Sequence, residues 1–435
     1  MTVFQHYQET LAVIAGFGLV ALASKEIGRF FVKIKLPLVS GFLFTGILAG
    51  PSVLALLPVE AASGLRFVDE VSLAFIAFAA GSELHIKKLR SRLKSITCTI
   101  AGLVVITFIL GSVTLFMLCD FIPFAKEMPP LSRIAISILG GVILVARSPS
   151  SAIAVIHELR AKGPFTQTAL GVTVMMDVVV VIFFSVNSSI ADALLTGAVN
   201  FGFIFLVLAE ILVSFVIGLS LGRLFQILIS KKWARSLETF LILLLGYGVF
   251  FLTDIVHHLS QARLPFGILL EPLLICMVAG YLLTNHSKYR HEFMTILHKI
   301  GPPIYTAFFT LTGASLLLGD LSDTWLIALA LFAVRLIGIM LGAFVGGTVA
   351  GEPMPRNRIS WMAYITQAGI GLGLAKEVSV AFPAWGGAFA SLLISVIVLN
   401  QIVGPPFFKW AIHLAGEVRP HEDEDLLAFK LPSTL

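Results

Sequence analysis

LGGVILVARSPSSAIAVIHEL, residues 139–159, is an apolar run with Arg147, Pro149 and three serines at its centre. Pro149 has no amide hydrogen to give a helix, and its ring clashes with the turn before it. Ser148, Ser150 and Ser151 surround that break. A second run, WMAYITQAGIGLGLAKE (361–377), carries Gly369, Gly371 and Gly373 beside Thr366 and Gln367. Broken helices are tolerated in lipid where they line a cavity or are buried in protein. Two interrupted segments at matching positions in two halves predict an inverted-repeat transporter with its site between them. The plainer alternative is that serine and glycine only let helices pack closely.

Around these runs the chain is too apolar for water. It has 435 residues, 57% of them hydrophobic and 13% charged. Soluble domains carry about 25% charged residues. Thirteen apolar segments follow one another, at 10–31, 36–57, 67–84, 95–119, 131–158, 164–188, 198–228, 236–258, 264–284, 300–318, 323–350, 357–380 and 386–412. Most approach or exceed the ~20 residues that a spanning helix needs. The expectation is an all-α polytopic membrane protein of about thirteen transmembrane helices, two of them discontinuous.

The loops orient it. One alternate set of loops, from Lys25–Lys35 through Lys87–Lys94 to Lys430, holds 23 basic residues, and the opposite set holds 5. The positive-inside rule puts the first set in the cytosol. The N-terminus is then outside and the C-terminus cytosolic. Residues 1–10 lack the basic region and cleavage site of a removable signal peptide. The stretch after Trp410 is too short to fold as a soluble domain.

Ionisable residues at mid-depth cost at least ~2.5–3.5 kcal/mol on insertion scales, so they face a cavity or a partner. Four stand there: Arg147, Asp177, Glu210 and Arg335, with Glu271 nearer the outside. Asp177 lies in GVTVMMDVVVVIFF (171–184), where Thr173, one turn earlier, shares its face. A carboxylate that takes a proton and a cation in turn is the minimal device for exchange. Serine hydroxyls and unwound carbonyls are hard oxygen ligands for a dehydrated alkali ion. The fifth segment runs inward and the sixth returns through a short loop. Ser148–Ser151 and Asp177 are thereby expected side by side. The other charged residues serve equally well as structural ion pairs.

Four motifs, in order, carry a resemblance that covers nearly the whole chain. They are LPLVSGFLFTGILAGPSVL (36–54), AFIAFAAGSELHIKKLR (74–90), the pair Ser150-Ser151 at the first break, and GPFTQTALGVTVMMD (163–177). The chain resembles the monovalent cation:proton antiporter superfamily, its second, Kef-like branch, among sodium/hydrogen exchangers. The resemblance implies a single transmembrane domain over 1–415 and a short cytosolic tail over 416–435. It implies a core of spans at about 95–188 and 323–412 sliding against a homodimer interface formed by the remaining spans. It makes Asp177 the alkali-cation and proton ligand, with Ser148, Ser150, Ser151, Thr173, Thr366 and Gln367 as ion-binding neighbours. It gives Arg147, Glu210 and Arg335 structural or charge-compensating roles, with Glu210 and Arg335 paired. It implies that the two discontinuous helices cross. Pro149, Gly369 and Gly371 mark the helix breaks.

Met176 stands where family members commonly have a polar or acidic residue, and Arg147-Ser148-Pro149 where others have an acid. Asp177 is then the one evident carboxylate. That implies electroneutral exchange of Na⁺ or K⁺ for one proton by alternating access in the cell (plasma or inner) membrane. The competing reading is an anion-linked or channel-like permease with Arg147 as the anion contact. No phosphate-binding loop, metal cluster or nucleophile with a base points to an enzyme or a cofactor. The acidic stretch HEDEDLL (421–427) and the histidines at helix ends read as solvated groups.

Overall fold

The computed structural model describes residues 3–58, 64–84, 86–196, 201–231, 233–263, 267–316, 321–367 and 369–418. The acidic stretch at 421–427 lies outside them. Helices dominate, and no strand occurs among the described residues. In chain order they are α1 (Val3–Lys33), α2 (Leu38–Ala49), α3 (Arg66–Glu83), α4 (Ile86–Leu118), α5 (Pro130–Val145), α6 (Pro149–Glu158), α7 (Pro164–Thr196) and α8 (Phe201–Ser230). Then come α9 (Arg235–Arg263), α10 (Pro272–His286), α11 (Arg290–Ala314), α12 (Leu321–Ala350), α13 (Met354–Ile359), a 3-10 turn (Ser360–Tyr364), α14 (Gly369–Ala381) and α15 (Gly386–Leu414).

Proline writes many of these starts. Pro130, Pro149 and Pro272 each sit at the opening of a helix, where the missing amide hydrogen is no loss. Each of the thirteen apolar segments carries a helix, and among the described residues seven helical spans are long and apolar enough to cross a bilayer on their own. The fifth segment is divided into α5 and α6, and the twelfth into α13, the 3-10 turn and α14. Outward faces are apolar: Leu212 and Val216 of α8 and Leu326, Leu341 and Val349 of α12 are exposed. Water does not tolerate so much contiguous apolar surface, but lipid does.

α4 packs along α12, α5 on α4 and α7, and α15 on α12 and α14. α10 packs on α3 and α8, and α11 on α2. Small residues bring backbones together at these seams. A Cβ placed on Gly342 of α12 would stand 2.7 Å from the Gly102 carbonyl oxygen of α4. The short turn from Glu158 to Pro164 reverses the chain, so α6 and α7 pack together. That turn sets Asp177 opposite the first break.

Candidate functional site

The first break runs from Ala146 to Ser148, with Ala146 out of the helical region at φ −55°, ψ 148° and Ser148 extended. α5 ends with carbonyls that have no helical partner, and α6 begins with amides in the same position. Ser148 caps α6: its hydroxyl accepts the Ser151 amide at 3.4 Å. The serine hydroxyls form a cluster, Ser148 to Ser150 at 3.0 Å and Ser148 to Ser151 at 3.3 Å.

The second break lies between the 3-10 turn and Gly369, slightly before the position the glycines suggested. Gly369 opens α14 and Gly371 is already inside it. The two unwound stretches are bonded to each other. The Ser148 amide donates to the Thr366 carbonyl at 3.0 Å, and Gln367 Nε2 donates to the Ile143 carbonyl at 2.6 Å.

Arg335, fully buried on α12, ties both breaks together. Its Nε donates to Leu144 O at 2.8 Å, one terminal nitrogen to Ala146 O at 2.9 Å, and the other to Ile365 O at 2.7 Å and to Asn400 Oδ1. The expected ion pair with Glu210 is therefore not formed. Glu210 accepts the Leu269 amide at 2.7 Å instead. The reason is physical: a broken helix exposes carbonyls that hold a guanidinium without a buried counter-ion. Asn400, which reads as one polar residue in the apolar final segment, was not singled out in the sequence. Its Nδ2 also donates to Gln367 Oε1 at 3.4 Å.

Arg147 is held the same way. It is 1% exposed, and its terminal nitrogens donate to Leu144 O at 3.2 Å, Ala146 O at 3.1 Å and Thr107 Oγ1 at 3.5 Å. No salt bridge joins it to Asp177 among the described residues. Its Nε is buried and unpartnered.

One crevice gathers the chemistry. Asp177, Arg147, Ser148, Pro149, Ser150 and Gly369 all line it, with Glu271 of the α10 start. Asp177 Oδ1 is buried and receives no hydrogen bond. The amino ends of α6 and α14, the positive ends of their dipoles, open onto the same space.

Other expected ligands stand back from it. Thr173 donates to Ala169 O and Leu170 O in its own helix, both at 3.0 Å. Ser151, Thr366 and Gln367 are buried in the crossing rather than on the crevice wall. Glu210, Arg335 and Gly371 do not line it either. Among the described residues no group of three His, Cys, Asp or Glu side chains is placed to hold a metal ion together. The crevice thus holds two carboxylates, Asp177 and Glu271, and not the single one that the sequence suggests.

Residues 19–414 match the sodium/hydrogen exchanger transmembrane family. The Na⁺/H⁺-K⁺ antiporter GerN of Bacillus cereus is 22% identical, over 90% of this chain and 94% of its own length. The Na⁺/H⁺ antiporter NhaS4 of Synechocystis is 30% identical over a shorter stretch, 26% of this chain and 32% of its own. Among solved structures, the sodium proton antiporter MjNhaP1 of Methanocaldococcus jannaschii superposes with a TM-score of 0.70 at 17% identity, covering 97% of this chain and 100% of that one.

Proposed function

The chain belongs to the sodium/hydrogen exchanger family, and from that premise we propose that it exchanges Na⁺ or K⁺ for protons at Asp177. The supporting observation is the carboxylate itself. It lines a crevice at two broken helices, and one of its oxygens has no partner. A proton or an alkali ion satisfies that oxygen, and the two exclude each other. Ser148 and Ser150 hydroxyls on the same wall complete an oxygen shell for the ion.

In this reading the core is α4–α7 with α12–α15, and it carries Asp177 between two faces of the membrane. The remaining helices form the static, dimeric part. One titrating carboxylate on the moving part gives one proton per cation and electroneutral exchange. Thirteen crossings place the N-terminus outside and the C-terminus in the cytosol of the plasma or inner membrane. The cation follows from the relatives: GerN is named for Na⁺, H⁺ and K⁺, and GerT of Bacillus cereus is a probable Na⁺/H⁺ antiporter.

The anion reading has weaker support. The terminal nitrogens of Arg147 are already turned to backbone carbonyls and Thr107. The test is proton flux in proteoliposomes with a pH dye inside and pulses of Na⁺, K⁺ or Li⁺ outside. Cation-dependent flux in the wild type that disappears in Asp177→Asn supports exchange at this residue. Flux that survives in Asp177→Asn refutes it.

A further inference from the structure

Glu271 is a half-buried carboxylate without an evident structural duty. It occupies the N-cap position of α10, where an acidic side chain would ordinarily accept an amide of the first turn, yet its side chain makes no capping bond. It forms no salt bridge among the described residues. Its backbone, by contrast, is firmly placed. The Glu271 amide donates to Ser214 Oγ at 3.0 Å, the Leu269 amide to Glu210 at 2.7 Å, and the Ile268 amide to Ser260 Oγ at 2.7 Å. Three side chains from α8 and α9 thus pin the loop that presents it. The residue lines the same crevice as Asp177.

One feature of that crevice points to a cation. Asp177, which lines it, has a buried Oδ1 that receives no hydrogen bond. Two carboxylates that share one space repel each other unless a cation lies between them or one of them takes a proton. The helices that carry them have different main neighbours: α7 lies chiefly on α5 and α4 and α10 on α3 and α8, with α8 touching both.

We propose that Glu271 is a second carboxylate ligand of the transported cation, supplied from the α3–α8–α10 side of the crevice opposite Asp177. This rests on the reading of Asp177 as the exchange site. Because α10 stays with the static part, Glu271 meets the ion on one face of the membrane only and is not carried across. It adds no titrating group to the moving part, so the one-for-one stoichiometry is unchanged. It raises cation affinity on the face nearer Glu271, which the loop charges assign to the outside.

The test is cation-dependent proton flux for Glu271→Gln, Glu271→Asp and Asp177→Asn in membrane vesicles of both orientations, with thermal midpoints of the purified proteins. The expected result for Glu271→Gln is an apparent KM for Na⁺ or K⁺ raised about tenfold from one face and unchanged from the other, with Glu271→Asp recovering part of the loss. Unchanged KM at both faces overturns the proposal. So does an equal rise at both faces accompanied by a lower thermal midpoint, the mark of a purely structural residue. Retained flux in Asp177→Asn overturns the exchange site itself, whatever Glu271→Gln does.

Discussion

Arg335 Nε donates to the Leu144 carbonyl oxygen at 2.8 Å, from a different helix and 191 positions further along the chain. The same guanidinium reaches Ala146 and Ile365, so one side chain closes the orphaned carbonyls of both broken helices. The crossing is held by backbone acceptors rather than by a buried acid. This leaves Asp177 without an arginine partner and its carboxylate available to ligands.

Arg335→Lys is expected to unfold more readily than wild type by about 3 kcal/mol. A lysine is a point donor and cannot span four acceptors set in a fork. Arg147 makes longer bonds and leaves Nε unused, so Arg147→Lys is expected to lose clearly less. Cation-driven proton flux should survive Arg147→Ala to within about tenfold, or ~1.4 kcal/mol of barrier. Denaturant titrations in detergent and liposome fluxes measure both. Arg147→Lys falling below Arg335→Lys, or flux lost with Arg147→Ala, contradicts this account.

A second prediction concerns the α4–α12 seam. Gly342 faces the Gly102 carbonyl so closely that any side chain must push the helices apart. Gly342→Val is expected to cost about 1–3 kcal/mol by overpacking. Gly373 has open space around its Cα. Gly373→Ala is therefore expected to be neutral or slightly stabilising, since alanine favours helix by up to ~1 kcal/mol. Comparing the thermal midpoints of the two variants decides it, and equal effects would mean that the seam tolerates separation.

Much of this was legible in the sequence. Apolar runs and prolines announce the helices, because lipid requires each backbone group to be bonded within its own segment. Pro149 announces the first break for the same reason. The second break is less legible. Its glycines are conspicuous, but the chain unwinds at Ile365–Gln367, where the partners are Arg335 and Ser148 from elsewhere in the chain. Glu210 and Arg335 look like partners only as long as carboxylates are the obvious acceptors. Carbonyls freed by a distant break are invisible to a linear reading. In the sequence the helix-end histidines read as solvated groups, yet His157 stacks on His298 with ring centroids 5.5 Å apart and lies 3.5 Å from Glu83.

A third prediction follows from Glu417. Its carboxylate accepts the Phe165 amide at 2.8 Å and both the amide and hydroxyl of Thr166 at 2.7 Å. It thus caps α7, the helix of Asp177, from the far end of the described chain. A charge at that helix start also meets the positive end of the dipole. Glu417→Ala is expected to lose about 1–2 kcal/mol, and Glu417→Gln, which keeps one accepting oxygen, less. The order wild type, Gln, Ala in thermal midpoint is the signature. If both variants melt with wild type, the contact carries no stability.

A fourth prediction concerns Lys409 and Glu158, which meet at 2.8 Å with both side chains 9% exposed. Each also bonds the turn between α1 and α2: Lys409 donates to Leu36 O at 3.0 Å, and Glu158 accepts the Leu38 amide at 2.8 Å. The far end of the half-helix that presents Ser148 and Ser150 is thereby fastened to that turn. A buried pair adds little net stability, but a buried charge left alone is costly, about 3–5 kcal/mol. Lys409→Met alone strands Glu158 and is expected to be the most damaging change. Adding Glu158→Gln removes the stranded charge while keeping an acceptor for the Leu38 amide. The double variant should therefore recover at least half of the loss, giving a large coupling energy in the double-mutant cycle. Losses that simply add would show that the two residues act separately, and that the fastening at Leu36–Leu38 does not depend on their charges.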